Sequence, residues 1–550
     1  MIRFSPGPNR AREIAWLEWG DEAFLTAARQ DKPVLLFIGA FWCGVCHRMD
    51  ETSFSTNEVI AMLNAYFVCV RVEESQRPDI DLRYNLNGWP TLVFLAPSGD
   101  LLFSTNALEP EPFLDLLLGI VASWQRDRGV GGFSNPPQAD PPLVPPAHDQ
   151  TAPLSPSIVA EIAGMVEGLA DPEYGGFGTE TKLFQPETTE FLLHLYAATG
   201  RQWYLDHVLL TLRTMRASRT YHSEEGGFFR YSSRRDWQEP HPEKLLDDQA
   251  ALVCNYLDAY VLADAADLRE TAESLIDYLN ATLLDPATGA FFGCQDYVSA
   301  PSAPSAQRGE DARIQPVIDD CIYCDSNARA ATAYLRAWWT LGRSDCADRA
   351  GGILDWLWTN VRAADGGLYH FWNGAPKVPG LLMDSVMAGR AMLDAYAVLG
   401  DATQLERASE LGRYIIERHR SPDGSFADIC EVGPAALRIP MTVLSQNAAV
   451  ATFLARLADL GGKQAYRQAA LLALQPFAGS QHRYGSFAAG FGLALSQVLS
   501  DTRVVELTGE PGSGELRHEA RGALTGLRPR TPVIMFTTTA RNRRPHRIGT

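Results

Sequence analysis

The sequence predicts a multidomain protein: an α/β domain at the N-terminus, followed by an all-α domain of about twelve helices closing as an (α/α)6 toroid. Three observations carry this. Up to residue 127, short β-branched runs alternate with helical stretches. A stretch rich in Pro, Gly and Ser at 128–157, with Asn135-Pro136-Pro137 and Pro145-Pro146, then reads as a linker. From 158 to 500 apolar residues recur at three- and four-residue spacing, while a short glycine–aromatic phrase returns between helix pairs.

Within 12–127 the elements follow in order. Asp21 to Arg29 reads as a short helix, and Lys32-Pro33 opens the apolar strand Val34 to Ile38. Asn57 to Tyr66 is helical, and Phe67 to Val72 is a second β-branched run. Thr91 to Leu95 is a third strand, and the turn Pro97-Ser98-Gly99-Asp100 leads to a fourth, Leu101 to Ser104. Glu109 to Trp124 closes the domain as a helix.

The second domain is read from its repeats. The phrase occurs as Tyr174-Gly175-Gly176-Phe177, Gly226-Gly227-Phe228-Phe229, Gly289-Ala290-Phe291-Phe292, Gly366-Gly367-Leu368-Tyr369, Gly424-Ser425-Phe426 and, weakly, Gly485-Ser486-Phe487. A period near sixty residues leaves room for two helices and their loops. We expect the glycines to turn the chain at one rim and the aromatics to line the central cup. The sixth copy falls where a helix is also legible. Beyond 500, Arg503 to Leu507 and Pro532 to Phe536 flank a helix at Gly514 to Leu524, a small β-α-β appendage, and 501–550 ends in an Arg-rich tail.

Composition narrows the function classes. The 550 residues carry a formal net charge of -18, which disfavours nucleic acid as a partner. No stretch approaches the ~20 apolar residues of a membrane span, and Met1 to Pro8 contains no apolar leader core. Nine cysteines without a dense framework fit a reducing compartment, so the expected location is cytoplasmic.

Trp42-Cys43-Gly44-Val45-Cys46 is the sharpest chemical signal. It places two thiols at a strand-to-helix turn, where a helix N-terminus stabilises a thiolate. Gly88-Trp89-Pro90-Thr91 follows, directly before another apolar strand. Cys43 to His47 also spells a haem-attachment string, which wants a secreted chain, and zinc at Cys43, Cys46 and His47 is badly spaced. An inert pair on a scaffold is a further reading. A second pair, Cys321-Ile322-Tyr323-Cys324, lies beside Asp319-Asp320 and is read as buried core cysteine.

These motifs resemble a thioredoxin fold. The resemblance implies Cys43 as nucleophile, Cys46 as resolving thiol and a cis Pro90 packed on the pair, with Trp42 and Trp89 beside the substrate. Thioredoxin also places a buried aspartate six residues before its first cysteine; here that position is Phe37, and Glu73, Glu74 and His47 are the available substitutes. Lys32-Pro33, Cys46-His47-Arg48-Met49, Glu51-Thr52-Ser53-Phe54, Arg77 to Asp81, Gly88-Trp89-Pro90, Gly226 to Ser232 and Trp237 to Ala250 occur in that order. Together they make the chain similar to the spermatogenesis-associated protein 20-like, or YyaL-type, family over most of 12–510. That resemblance implies a thioredoxin-like domain joined to a six-hairpin glycosidase-like toroid.

The toroid offers a second cluster. His241, Glu243, Lys244, Asp247 and Asp248 lie between a turn and an apolar helix, with Trp237 before them and Asp384 at another helix start. Carboxylates and His suit acid–base work on a sugar, and aromatic rings stack on its faces. The same residues also suit helix starts, which is the plainer reading. The leading expectation is thiol–disulfide exchange, with the toroid recognising a substrate or partner. The alternatives are a carbohydrate-active hydrolase or epimerase and a non-catalytic interaction protein. The expected partners are a protein disulfide or a sugar-like small molecule, with no nucleic acid, membrane, metal or cofactor.

Overall fold

The computed structural model describes residues 2–86, 88–126, 153–299, 314–430, 440–500, 503–526 and 532–537. The expected linker, except its last residues, and the Arg-rich tail lie outside these. The chain divides into two compact units. The first holds the N-terminal segment and the described parts of 296–319 and 429–441; the second holds the rest. Two insertions that lie in the toroid's sequence therefore group with the α/β unit.

The α/β unit is a five-stranded sheet in the order β1-β3-β2-β4-β5, formed by β1 (Trp16–Leu17), β2 (Val34–Gly39), β3 (Val68–Glu73), β4 (Thr91–Leu95) and β5 (Leu101–Asn106). β1, β3 and β2 run parallel, while β4 and β5 are antiparallel to their neighbours. Every residue of β2 and β4 is buried, as expected of strands covered on both faces. One face packs Leu36, Ile38, Val70 and Val93 with Phe24 and Ala27 of α1 (Asp21–Gln30). The other carries Phe37, held edge-on by Phe54, which in turn meets Phe113. The helices α2 (Gly44–Glu51), α3 (Asn57–Tyr66), α4 (Pro78–Tyr84) and α5 (Pro110–Arg126) complete the unit. The two-residue β1 and the short α4, with Pro78 in its first turn, are additions to the elements read from sequence.

The second unit is a closed ring. Six inner helices, α7 (Pro186–Thr199), α9 (Leu246–Ala263), α11 (Cys324–Leu341), α13 (Leu382–Leu399), α15 (Leu444–Gly461) and α17 (Ala489–Leu499), each pack on the next, and α17 packs back on α7. The outer helices, α6 (Pro156–Leu169), α8 (Gln202–Ala217), α10 (Ala266–Tyr278), α12 (Ser344–Asn360), α14 (Ala402–Arg418) and α16 (Gln464–Leu474), lie against them. This is an (α/α)6 toroid. Inner helices α9 and α13 are buried on most faces, with apolar residues around most of their circumference.

The glycine–aromatic phrases have a different job from the one expected. Five copies form the same isolated antiparallel bridge, seen at Ala170↔Phe177, Tyr221↔Phe228, Leu284↔Phe291, Arg362↔Leu368 and Arg420↔Phe426. The glycines supply left-handed turns, as at Gly226 (φ 79°) and Gly424 (φ 93°). Three bridges are then clasped by an amide at the fourth residue of an inner helix. Phe228, Phe291 and Phe426 donate their N–H to Gln249, Asn327 and Asn447 and accept from the same side chains, at 2.7–3.0 Å. The rings of Phe228, Phe291 and Phe426 are fully buried in the wall, not displayed in a cup. The sixth copy makes no such bridge: Gly485–Ala488 is a 3-10 turn running into α17, and Phe487 is 59% exposed.

Candidate functional site

In the α/β unit, β2 delivers the chain to α2 through Cys43, which is the helix N-cap. Its Sγ accepts the Cys46 N–H at 3.1 Å, and the two sulfurs are joined as a disulfide with Cα atoms 5.2 Å apart. Cys43 is 6% exposed and Cys46 2%, so both are buried, the first slightly less so, and Val45 between them is 52% exposed. The Trp89–Pro90 peptide is cis. Trp42 meets Trp89 edge-to-face with ring centroids 5.0 Å apart, and the Trp89 indole donates to Asp81 at 2.8 Å. Trp42 is buried and Trp89 half-buried, so the pair forms a wall beside the disulfide.

The acids near this site sort clearly. Phe37 fills the place of an aspartate, with the Arg71 guanidinium over its ring at 4.4 Å. Arg71 is tied to the buried Asp50 by two hydrogen bonds of 2.8 Å. Asp50 is therefore committed. Glu73, at the end of β3, lies in register with Gly39, where an added Cβ would stand 3.5 Å from Cys46 Sγ. Its carboxylate accepts from Phe41 N–H at 3.0 Å and Gln76 N–H at 2.9 Å. Burial, reinforced by Glu74 and Asp319, raises its pKa above the ordinary carboxylate range. His47 is held below its usual value by burial, opposed by Asp50 and Glu51.

In the toroid the residues read from sequence scatter into the framework. Trp237 is fully buried, stacked on Phe184 and donating its indole N–H to Tyr174, which leaves no face for a sugar ring. Lys244 is also fully buried, its Nζ 2.9 Å from both the Gly226 carbonyl and His222 Nδ1. Lys182 does the same one repeat earlier, binding the Gly175 and Gly178 carbonyls and Asp171. The recurrence identifies Lys244 as a strut beneath the glycine turn. Glu243 is buried against Arg230, and His241 is exposed and stacked on Tyr231. Asp248 is half-buried in the first turn of α9, and its pKa is raised by burial and by Asp247. Asp384 is fully buried against His370. Cys321 and Cys324 are buried and not joined in a disulfide; Asn373 Nδ2 donates to Cys321 Sγ at 3.3 Å, and burial raises the pKa of Cys324.

Among the described residues a cavity lies inside the inner helices, and none of Trp237, His241, Glu243, Lys244, Asp248 and Asp384 lines it. That cavity, about 350 Å³, is the lumen inside the inner helices. Its walls carry a belt that the sequence reading passed over. The thirteenth residues of α9, α11, α13 and α15 are Asp258, Arg336, Asp394 and Arg456, alternating in sign around the ring. Asp258 pairs with Arg336, and Asp394 with Arg456 at 2.7 Å. Burial pushes Asp258 up to about 6, while Arg456 and Arg336 overcome burial and hold Asp394 below its usual range. The visible signal was a charge followed by Ala and an aromatic inside an apolar helix: Asp258-Ala259-Tyr260, Arg336-Ala337-Trp338 and Asp394-Ala395-Tyr396. One end of the lumen is lined by the C-terminal segment. Parallel strands Arg503–Thr508 and Pro532–Thr537 flank α18 (Gly514–Gly526), and Phe536 stacks on Trp339 of α11 at 4.7 Å.

A thioredoxin-like domain and an (α/α)6 toroid thus define the class of this protein. Among the described residues no helix is long and apolar enough to cross a membrane. Residues 9–130 match the family model Thioredox_DsbH, described as a protein of unknown function, DUF255. The chain is similar to spermatogenesis-associated protein 20 of Mus musculus, with 29% identity over 313 residues covering 52% of this chain and 39% of that protein. The Homo sapiens protein is 30% identical over the same shares. The resemblance read from the sequence holds in these matches, and the chain spans about two fifths of the length of these curated relatives. Among solved structures it is similar to a cellobiose 2-epimerase from Bacillus thermoamylovorans B4167, at 13% identity and TM-score 0.48, covering 58% of this chain and 86% of that one. A D-mannose isomerase matches at 11% identity and TM-score 0.49, covering 64% and 99%.

Proposed function

We propose that the α/β unit carries out thiol–disulfide exchange at Cys43 and Cys46. The observation that supports this most is the joined pair at the start of α2, with the less buried cysteine at the N-cap. In the reduced form the helix N-terminus and the Cys46 N–H stabilise a Cys43 thiolate. That thiolate attacks one sulfur of a substrate disulfide. An S–S bond forms to Cys43, and the other substrate sulfur leaves as a thiolate. Cys46 then loses its proton and attacks Cys43 Sγ, releasing the second substrate thiolate and restoring the pair. Glu73 suits the role of acceptor for the Cys46 proton: it lies on the strand in register with Gly39 and has a raised pKa. Trp42 and Trp89 offer an apolar wall for an extended peptide bearing the disulfide.

The test is iodoacetamide alkylation of the reduced protein across pH, with insulin reduction as the turnover assay. Cys43 alkylates with a pKa below about 7.5, and Cys46→Ser traps a mixed disulfide through Cys43. A Cys43 pKa at or above about 8.5, together with unchanged insulin reduction by Cys43→Ser, refutes the proposal.

A second reading concerns the lumen, favoured by one observation. Asp258 and Asp394 share a ring of helices but have pKa values pushed in opposite directions, the arrangement that separates an acid from a base. A cavity of about 350 Å³ falls in the range of small-molecule sites. Binding of a small polar ligand such as a sugar there predicts thermal stabilisation by a mono- or disaccharide, lost in Asp258→Asn. No shift with any sugar at millimolar concentration removes it.

A further inference from the structure

Outside both sites, three elements of the toroid bring one imidazole and two carboxylates together. His370 lies on the strand Tyr369–Trp372, whose neighbour Phe371 pairs with Tyr323 in the short strand leading into α11. Asp325 is the second residue of α11, and Asp384 the third residue of α13. One ligand atom from each of Asp325, His370 and Asp384 lies within 4.8 Å of the other two. Donors at about 2.0–2.2 Å from one tetrahedral ion stand roughly 3.3–3.6 Å apart, so side-chain rotation that draws the three atoms together would let them share one.

The state of Asp384 makes this more than a chance meeting of acids. The residue is 0% exposed and His370 3%. Asp384 Oδ1 is 2.9 Å from His370 Nδ1, while Asp384 Oδ2 has no hydrogen-bond partner. A buried carboxylate oxygen without a partner is costly unless a proton or a cation meets it. Asp325 turns its backbone N–H toward the Asp384 carboxyl but also brings a second carboxylate beside it, whose Oδ1 is occupied by the Ser326 N–H at 2.7 Å.

The geometry points to a divalent transition-metal site formed by Asp325, His370 and Asp384. An imidazole nitrogen with two carboxylate oxygens suits Zn2+ or Mn2+, whereas Ca2+ asks for six to eight oxygens. Three protein donors leave at least one position for water or an incoming oxygen ligand. Both acids lie in the first turns of helices, where the backbone already draws on their charge. Affinity is therefore expected on the order of micromolar rather than nanomolar. The site is independent of the thiol chemistry, because its donors belong to the other unit.

The test uses the full chain with its disulfide oxidised, stripped with chelator and dialysed against Mn2+ or Zn2+ alone. Bound metal is counted by mass spectrometry, and Mn2+ is also followed by electron paramagnetic resonance, since thiols compete poorly for it. One equivalent is expected, with a rise in melting temperature. Asp384→Asn and His370→Ala should weaken Mn2+ binding at least tenfold and abolish the thermal shift. Asp325→Asn, at a half-buried position, carries the same test if the buried variants fail to fold. Less than about 0.2 equivalents at 100 μM of either metal, or equal binding by wild type and variant, overturns the proposal.

Discussion

Replacing Asn447 by alanine tests whether the glycine–aromatic phrases hold the ring together. Phe426 donates its N–H to Asn447 Oδ1 at 2.7 Å and accepts from Nδ2 at 3.0 Å, and both residues are fully buried. The neighbouring bridge bonds belong to Ala427 and Ser421, so they do not satisfy Phe426 itself. Val443, the other acceptor of Nδ2, keeps the Asn447 backbone N–H at 3.0 Å. Asn447→Ala thus strands two buried backbone groups. At about 1–3 kcal/mol each, the loss is roughly 2–6 kcal/mol. Urea unfolding followed by tryptophan fluorescence reads it directly. Phe487→Ala is the control: that ring is 59% exposed in the copy without a bridge, and should change stability by less than about 0.5 kcal/mol. A loss below about 1 kcal/mol for Asn447→Ala, or a greater loss for Phe487→Ala, would show that the clasp reasoning is mistaken.

Two further outcomes are expected. Burial lowers Lys244 to about 8, so above that pH the folded chain sheds a proton that the unfolded chain keeps until about 10.4. Wild-type stability contributed by this group should therefore rise between pH 8 and 10.4, by up to about 3 kcal/mol; Lys244→Met should lack that increment when urea midpoints are compared across the window. Phe536→Ala removes the ring stacked on Trp339, and proteolytic release of the C-terminal segment should accelerate at least tenfold; an unchanged cleavage rate would mean that other contacts hold it.

The elements were legible where one local rule dominated. The continuous apolar run Val34 to Ile38, the cysteines after it and the turn before Thr91 led to the sheet and to the disulfide at its helix. The repeat led to the ring of helices because glycine phrases at similar spacing require one structural unit used over and over. The site within the ring was harder to read, for a physical reason. Trp237, Lys244 and Asp384 look chemically rich in one dimension, yet burial can serve packing, strut and ion-pair roles as readily as ligand binding. Only the structure reveals that Lys244 repeats the task of Lys182. The belt of Asp258, Arg336, Asp394 and Arg456 was hidden because its pairs form between helices more than fifty residues apart in sequence. Phe37 removed the expected acid from β2, and of the substitutes legible in the sequence Glu73 is the one whose strand position lies in register with Gly39, beside the disulfide.

The C-terminal segment bears on how complete the toroid is without it. Leu524, Val533, Ile534 and Phe536 supply part of the lumen's lining, so the six inner helices alone do not make up its wall. A chain cut before Gly514 would keep every inner helix yet lose that part of the wall, and the lumen would be remade with four fewer apolar side chains facing it.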